Sequence, residues 1–190
     1  MKLFIALTIL FSLNSFAQLK VEKELSLTEE ILKEIPAWDT KTQERVKKYS
    51  PLIIQVAKKL EIEPKLLLSV AWAESHFKPE AKSFVGAVGI MQVKPSTQRY
   101  ILDKELDDNL RAFYTATLLQ NDFPHEIIDN ILSGGLYIKY LLNKFDGDSQ
   151  KAVIAYNIGP TGTYRLIKNN GDLNHHRYYL KISKNMIAMN

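Results

Sequence analysis

The chain has 190 residues, 46% hydrophobic and 24% charged, with 8 glycines, 7 prolines and no cysteine. That composition excludes a disulfide scaffold, a cysteine nucleophile, cysteine-ligated zinc, intrinsic disorder and collagen-like repeats. A formal charge of +4, from 25 basic and 21 acidic residues, suits an anionic partner such as nucleic acid, a membrane surface or a cell-wall polymer without choosing among them.

Residues 1–17 (MKLFIALTILFSLNSFA) have the layout of a secretory signal. Lys2 starts it, an apolar run spans Leu3 to Leu13, and Ser15 and Ala17 frame a cleavage before Gln18. The apolar run falls short of the about 20 residues that span a bilayer. An uncleaved anchor is the alternative. Removal of residues 1–17 leaves 173 residues, with a charge of +3 because one lysine and no acid are lost. No other stretch is long and apolar enough to cross a membrane. The expected organisation is therefore a signal over 1–17, a polar N-terminal arm or linker over 18–48, and one domain over 49–190.

From Ser50 onward the pattern is helical. Ser50-Pro51 reads as a helix start, followed by Leu52, Ile53, Val56 and Leu60 at helical spacing. Pro64 opens the segment PKLLLSVAWAES, apolar on nearly every face, which predicts a buried central helix that Pro79 limits. A glycine-bearing loop (SFVGAVGIMQVKP) follows, and Pro95 suits the first turn of another helix. Segments 104–120 and 126–145 also read as helices. Gly134 and Gly135 cost the second about 1 kcal/mol each against alanine, which predicts close approach by another helix. Asp148 reads as an N-cap for a helix through Tyr156, broken by Gly159-Pro160, and two helical pieces follow at 162–169 and 176–187. No alternating strands, internal repeats or low-complexity tracts occur. The fold class is mostly α.

Glu74 stands out chemically. It lies near the end of the apolar helix, one turn from Val70 and Ala71, with Trp72 close by. Desolvation and the carboxyl end of the helix dipole both favour its protonated form. A protonated carboxylic acid in a cleft is what a glycosidase uses to protonate a leaving-group oxygen. By position alone the alternative is a helix-end glutamate pointing into water.

The surroundings add to this. Glu74-Ser75-His76-Phe77-Lys78-Pro79 leads through Ser83 to Gly86-Ala87-Val88-Gly89-Ile90-Met91-Gln92-Val93, and Ala155-Tyr156-Asn157-Ile158-Gly159-Pro160 comes much later. These motifs, in this order, resemble the lytic transglycosylases with a soluble, Slt-type catalytic domain, in glycoside hydrolase family 23. The block from Asn130 to Tyr140 and Arg177-Tyr178-Tyr179 resemble two further family motifs, and the likeness spans roughly residues 50–185.

The resemblance implies a lysozyme-like helical fold with a central buried helix carrying the catalytic Glu. It also implies cleavage of peptidoglycan glycan strands between N-acetylmuramic acid and N-acetylglucosamine without water, leaving 1,6-anhydro ends. Glu74 matches the single acid/base. It protonates the glycosidic oxygen, then takes the proton of the muramyl C6 hydroxyl as that oxygen closes on C1, assisted by the substrate's N-acetyl group. No second carboxylate is required. Ser83 matches a residue beside the muramyl acetamido group. Met91 and Gln92 match a groove-lining pair, Tyr156 a tyrosine reaching toward the acid, with Asn157 next to it. Tyr178 matches a cleft-lining or positioning residue. Ser75 and Phe77 are expected to fix the turn after the helix, and Gly86 and Gly89 to shape the loop.

Two features depart from the family pattern. Lys94 stands where many relatives carry methionine, and either pairs with a peptide-stem carboxylate or points to solvent. The connection from Pro95 to Asn130 is longer than usual. His76, His125, His175 and His176 form no metal-ligand spacing, and no helix-turn-helix or RNA-binding signature accompanies the basic excess. No cofactor, no metal and no nucleic-acid partner are therefore expected. The expected partners are peptidoglycan glycan strands and, in the cell, an envelope or secretion-system complex, for an exported protein of the periplasm or cell envelope. The alternatives are a hydrolytic muramidase like goose-type lysozyme, and a catalytically idle wall-binding or secretion-scaffold module.

Overall fold

The computed structural model describes residues 26–33, 35 and 39–188. The signal segment lies outside the described residues. A helix over 26–33 (α1) is followed by α2 (Thr40–Lys59), α3 (Pro64–Ser75), α4 (Pro95–Glu105), α5 (Asp108–Gln120), α6 (His125–Lys144), α7 (Ser149–Lys168) and α8 (Arg177–Ala188). No strand occurs among the described residues; the loop between α3 and α4 carries two isolated antiparallel bridges, Lys82 to Val88 and Val88 to Val93.

The helix α3 organises the rest. Pro64 sits at its first turn, where a missing N–H costs nothing, and Leu66, Leu67, Leu68, Val70 and Ala71 are all buried. An all-round apolar helix needs neighbours on all sides, and α2 and α8 pack directly against it. At its end His76 (φ 51°) and Phe77 (φ 60°) both take left-handed backbone conformations, which cost L-residues roughly 1–2 kcal/mol each. Complete burial of the Phe77 side chain offsets that cost, and Ser75 Oγ accepts the Lys78 N–H at 3.1 Å to close the turn. The expectation for Ser75 and Phe77 agrees with this geometry.

The helix start expected at Ser50-Pro51 is wrong. Asp39 caps the helix by accepting the Thr42 N–H at 3.2 Å, and Pro51 lies inside α2. Val46, Tyr49, Ile53 and Val56 form one buried stripe that runs straight past the proline. Pro51 is on the exposed side, where water can take up the carbonyl its ring displaces. Burial of the stripe outweighs a proline penalty of about 3 kcal/mol. Residues 40–48, read as the end of a polar arm, are thus the first half of α2. Leu27, Ile31 and Ile35 join the same core, so this part of the arm docks as a helix.

The segment expected as one helix over 104–120 belongs to two. Leu106 and Asp107 separate α4 from α5, because the Asp107 carboxylate accepts the Leu110 N–H at 2.7 Å and starts a new helix. The glycine pair of α6 has two different neighbours. A Cβ on Gly135 would stand 2.8 Å from Leu60 and 3.0 Å from Val56, at the close approach of α2. A Cβ on Gly134 would stand 2.6 Å from Met91 of the α3–α4 loop. In α7, Gly159 (φ 75°, ψ 158°) breaks the helix in a conformation open only to glycine, as its Gly-Pro sequence predicts.

The α3–α4 loop is suspended from α6 by one side chain. Asn130, 3% exposed, accepts the Met91 N–H at 2.8 Å and donates to the Val88 carbonyl at 2.9 Å. Asn130→Ala leaves a buried N–H and a buried carbonyl without these partners. It is expected to lower unfolding free energy by about 3 kcal/mol, measured by urea titration, whereas the exposed Asn109→Ala on α5 stays within about 0.5 kcal/mol of the parent.

Candidate active site

The last turn of α3, the suspended loop, the start of α4, the middle of α6 and the kink of α7 enclose a cleft of about 490 Å³. Glu74 lies at its floor, half-buried, and is the one carboxylate among the described residues lining it. Ser83, Gln92, Tyr156 and Asn157 line the same cleft, so four of the residues singled out from sequence meet around Glu74.

Burial raises the Glu74 pKa above the ordinary carboxylate value. Two groups on α8 oppose it. Tyr178 Oη donates to Glu74 Oε1 at 2.5 Å, and the positive charge of Lys181 favours the ionised form. Lys181 Nζ also donates to the Ala73 carbonyl, supplying a cation at the carboxyl end of α3 where the helix dipole favours one. Desolvation and the nearby Glu74 hold both Tyr156 and Tyr178 far above the ordinary phenol value. Tyr178 therefore keeps its proton and remains a donor.

The two tyrosines near Glu74 have different hydrogen-bond partners. Tyr156, expected to reach toward the acid, lies near Glu74, and its hydroxyl donates to the Met91 carbonyl at 2.8 Å. Its ring lines the cleft and packs on Tyr137 at a centroid distance of 5.4 Å. Tyr178, expected as a cleft-lining or positioning residue, is 9% exposed, is not among the cleft-lining residues, and bonds Glu74 from the core side. Met91 differs too. Its side chain is fully buried against Gly134 rather than lining the groove, and its backbone N–H and carbonyl tie the loop to Asn130 and Tyr156.

The loop geometry is built from these ties. Ser75 Oγ, at the end of α3, donates to the Ile90 carbonyl at 2.8 Å. Ser83 Oγ accepts the Ala87 N–H at 2.9 Å, closing the turn around Gly86 (φ 81°). Gln92 has a left-handed backbone (φ 48°), and its Nε2 donates to the Ala81 and Gly89 carbonyls at 3.1 and 2.9 Å. Those bonds turn its amide into a brace across the loop. Gly89 (φ 75°) packs so tightly on Asn130 that a Cβ would stand 2.5 Å from it. The clamp role of Asn130 was not singled out from the sequence; the available signal was its place at the start of the Asn130–Tyr140 block. The cleft-lining Tyr137 belongs to the same block, whereas Lys181 and the cleft-lining Thr97 carried no separate signal.

The family model for the transglycosylase SLT domain matches residues 51–179. The chain belongs to this family. An SLT-domain relative, membrane-bound lytic murein transglycosylase C of Haemophilus ducreyi, is 34% identical over 124 residues, covering 60% of this chain and 31% of that protein. The protein of the same name from Haemophilus influenzae is 29% identical over 150 residues, covering 73% of this chain and 39% of its own length. The chain thus spans about a third of the length of these curated relatives. Among solved structures, the 70 kDa soluble lytic transglycosylase of Escherichia coli superposes with a TM-score of 0.54 at 23% identity, over 74% of this chain and 23% of that one. An inactive mutant of lytic transglycosylase Slt from Pseudomonas aeruginosa gives 0.50 at 20% identity, over 73% and 22%. The SLT domain of this chain therefore has the mostly α, lysozyme-like fold that its motifs imply.

A carboxyl group with a raised folded-state pKa stabilises the fold fully below its unfolded pKa, and loses that contribution as pH rises through the folded value. Glu74 is such a group. Glu74→Gln, with no proton to lose, is accordingly expected to have a higher Tm than the parent at neutral pH. The gap should narrow on acidification until both forms are neutral below the ordinary glutamate value of 4.5, as followed by thermal melts across pH. A constant gap at all pH values contradicts the raised pKa.

Proposed function

We propose that this chain is a peptidoglycan lytic transglycosylase and that Glu74 is its acid and base in turn. The observation carrying this reading is a lone half-buried carboxyl group, raised toward its protonated form, at the floor of a cleft with no second carboxylate among the described lining residues. Ordinary retaining or inverting glycoside hydrolysis needs a pair of carboxyls. A single one suffices where the substrate supplies its own nucleophile.

In the proposed sequence Glu74 donates its proton to the glycosidic oxygen as the bond from C1 of N-acetylmuramic acid to that oxygen breaks. The substrate acetamido oxygen shields C1 from the opposite face. The muramyl C6 hydroxyl oxygen then bonds to C1, and its proton passes to the Glu74 carboxylate, which restores the acid. Tyr178 holds Oε1, so Oε2 is the oxygen presented for proton transfer. Ser83, Gln92 and Asn157 supply polar contacts along the cleft, Tyr156 contributes its ring, and Met91 acts through the backbone of the loop. The same reading places the protein in the cell envelope, exported by residues 1–17, with the helical body from α2 through α8 forming the catalytic domain. Two curated relatives are named membrane-bound murein enzymes, which supports the envelope location. No helix among the described residues is long and apolar enough to cross a membrane.

Incubation of the protein with purified sacculi and mass spectrometry of the soluble fragments tests this. Disaccharide products ending in 1,6-anhydro-N-acetylmuramic acid are expected. Reducing muramic ends alone mean hydrolysis, and no release means an idle module. Glu74→Gln is expected to lose activity by about a thousandfold or more, the range of general acid–base catalysis, with its fold intact by circular dichroism.

The pH dependence has a definite sign. The first step uses protonated Glu74, so the rate falls as pH rises through the Glu74 pKa. The Tyr178 hydrogen bond lowers that pKa. Tyr178→Phe is therefore expected to move the alkaline limb of the kcat/KM profile to higher pH, and an unmoved or acid-shifted limb would show that Tyr178 does not tune the acid.

A further inference from the structure

Helix α8 grips α3 along one edge. Tyr178, Lys181 and Asn185 recur at spacings of three and four residues, which places them on one face of α8. Each donates to α3: Tyr178 to Glu74 Oε1 at 2.5 Å, Lys181 to the Ala73 carbonyl, and Asn185 to the Ser69 carbonyl at a longer 3.5 Å.

The middle contact bears directly on the acid. Ala73 lies in the last turn of α3, where the helix runs out of N–H groups for its carbonyls. Its carbonyl belongs to the peptide unit that joins Ala73 to Glu74. Lys181 therefore holds the backbone from which Glu74 hangs, while Tyr178, one turn earlier on α8, holds its side chain.

A neutral donor would satisfy that carbonyl equally well. The charge of Lys181 bears on Glu74 itself: burial and the carboxyl end of α3 both work against a carboxylate there, and the Lys181 cation works for it. Other groups nearby do not take its place. His76 is held toward its neutral form by burial and by Lys181, Lys78 and Arg45, with Asp39 opposing. Tyr156 and Tyr178 keep their protons. Lys94 belongs to the cleft lining, whereas Lys181 stands outside it and reaches α3 from α8.

We propose that Lys181 is a positioning residue for Glu74: it fixes the Ala73–Glu74 peptide unit and keeps a positive charge behind the carboxyl group. The proposal rests on the acid-and-base reading of Glu74 above. In that sequence Glu74 is a carboxylate from the loss of its proton to the glycosidic oxygen until it recovers one from the C6 hydroxyl. Lys181 stabilises this interval from outside the cleft lining. No bond to Lys181 forms or breaks, and its proton stays in place.

Ionisation of Glu74 in the full chain tests this without any turnover. It is read from the carboxyl carbon NMR resonance, assigned by its loss in Glu74→Gln. Lys181→Met, which keeps an aliphatic stem, is expected to raise the Glu74 midpoint by about 0.5 or more on the pH scale. Lys181 is exposed, so solvent limits the size of the effect. The sign follows from removing a cation: the protonated form persists to higher pH, and the alkaline limb of kcat/KM moves up with it. On soluble glycan fragments kcat at the optimum should fall about threefold or more while KM stays within about twofold. Lys181→Arg should restore the parent midpoint. Lys184→Met, an exposed change further along α8, should leave it in place. Lys181→Gln keeps a donor for the Ala73 carbonyl and stands in if the methionine variant does not fold. A midpoint unmoved in the uncharged variants overturns the proposal. So does an arginine variant that behaves like the methionine one, or an equal shift in Lys184→Met. A rise in KM with kcat unchanged does so too, because Lys181 is then a substrate contact. A wild-type protein that cuts no glycan while the midpoint shift is present defeats the lytic reading and leaves the positioning role standing. Cutting with an unmoved midpoint does the reverse.

Discussion

A carboxyl group at the end of a buried helix is the constraint around which this molecule is arranged. The apolar turns of α3 require neighbours on all sides, yet its last turn must open onto a cleft. α2 and α8 cover the helix, and two consecutive left-handed residues, His76 and Phe77, send the chain away from the opening. Glu74 is left where desolvation raises its pKa while one side still faces the cleft. The hydrogen bond from Tyr178 then prevents the acid from becoming too weak and fixes which oxygen faces the cleft. Acidity and orientation come from the same contact, made from the core side, where a ligand does not disturb it.

The loop opposite the acid is shaped almost entirely by polar ties to rigid helices. Ser75 holds it from α3, Asn130 from α6 and Tyr156 from α7. Each is a bond to loop backbone, so the side chains that face the cleft are positioned by groups that do not face it. Buried polar networks of this kind specify geometry when every member is satisfied. The close packing of Gly89 on Asn130 and of Gly134 on Met91 removes the remaining slack. A preorganised cleft follows, in which the catalytic group and its surroundings need little rearrangement.

Lys94 and Thr97, at the start of the stretch read from sequence as departing from the family pattern, line the cleft. α4 rests on α6 through Ile101 and the Lys104–Tyr140 contact, while α5 is mostly exposed, with Thr117 its one buried residue. Glu74 sits on the buried α3, and α4 and α5 are largely exposed.

The periodicity of the sequence was enough for the helical class, the buried nature of α3, the break at Gly159 and the environment of Glu74, because each depends on local composition or on apolar spacing. The motifs were enough for the membership of Ser83, Gln92, Tyr156 and Asn157 in one site. Two helix boundaries were not legible. Pro51 is a strong local stop signal, but a stripe of buried residues on the opposite face overrode it. The break at Asp107 depends on one side-chain cap within an otherwise continuous pattern. The partners of individual groups were not legible either. Which of two tyrosines bonds Glu74 depends on α8 packing directly against α3, and whether Met91 lines the cleft or anchors it depends on the facing Gly134. Only the folded chain brings residues 74 and 178, or 91 and 130, within bonding distance. Contacts across such separations have no counterpart in local sequence spacing.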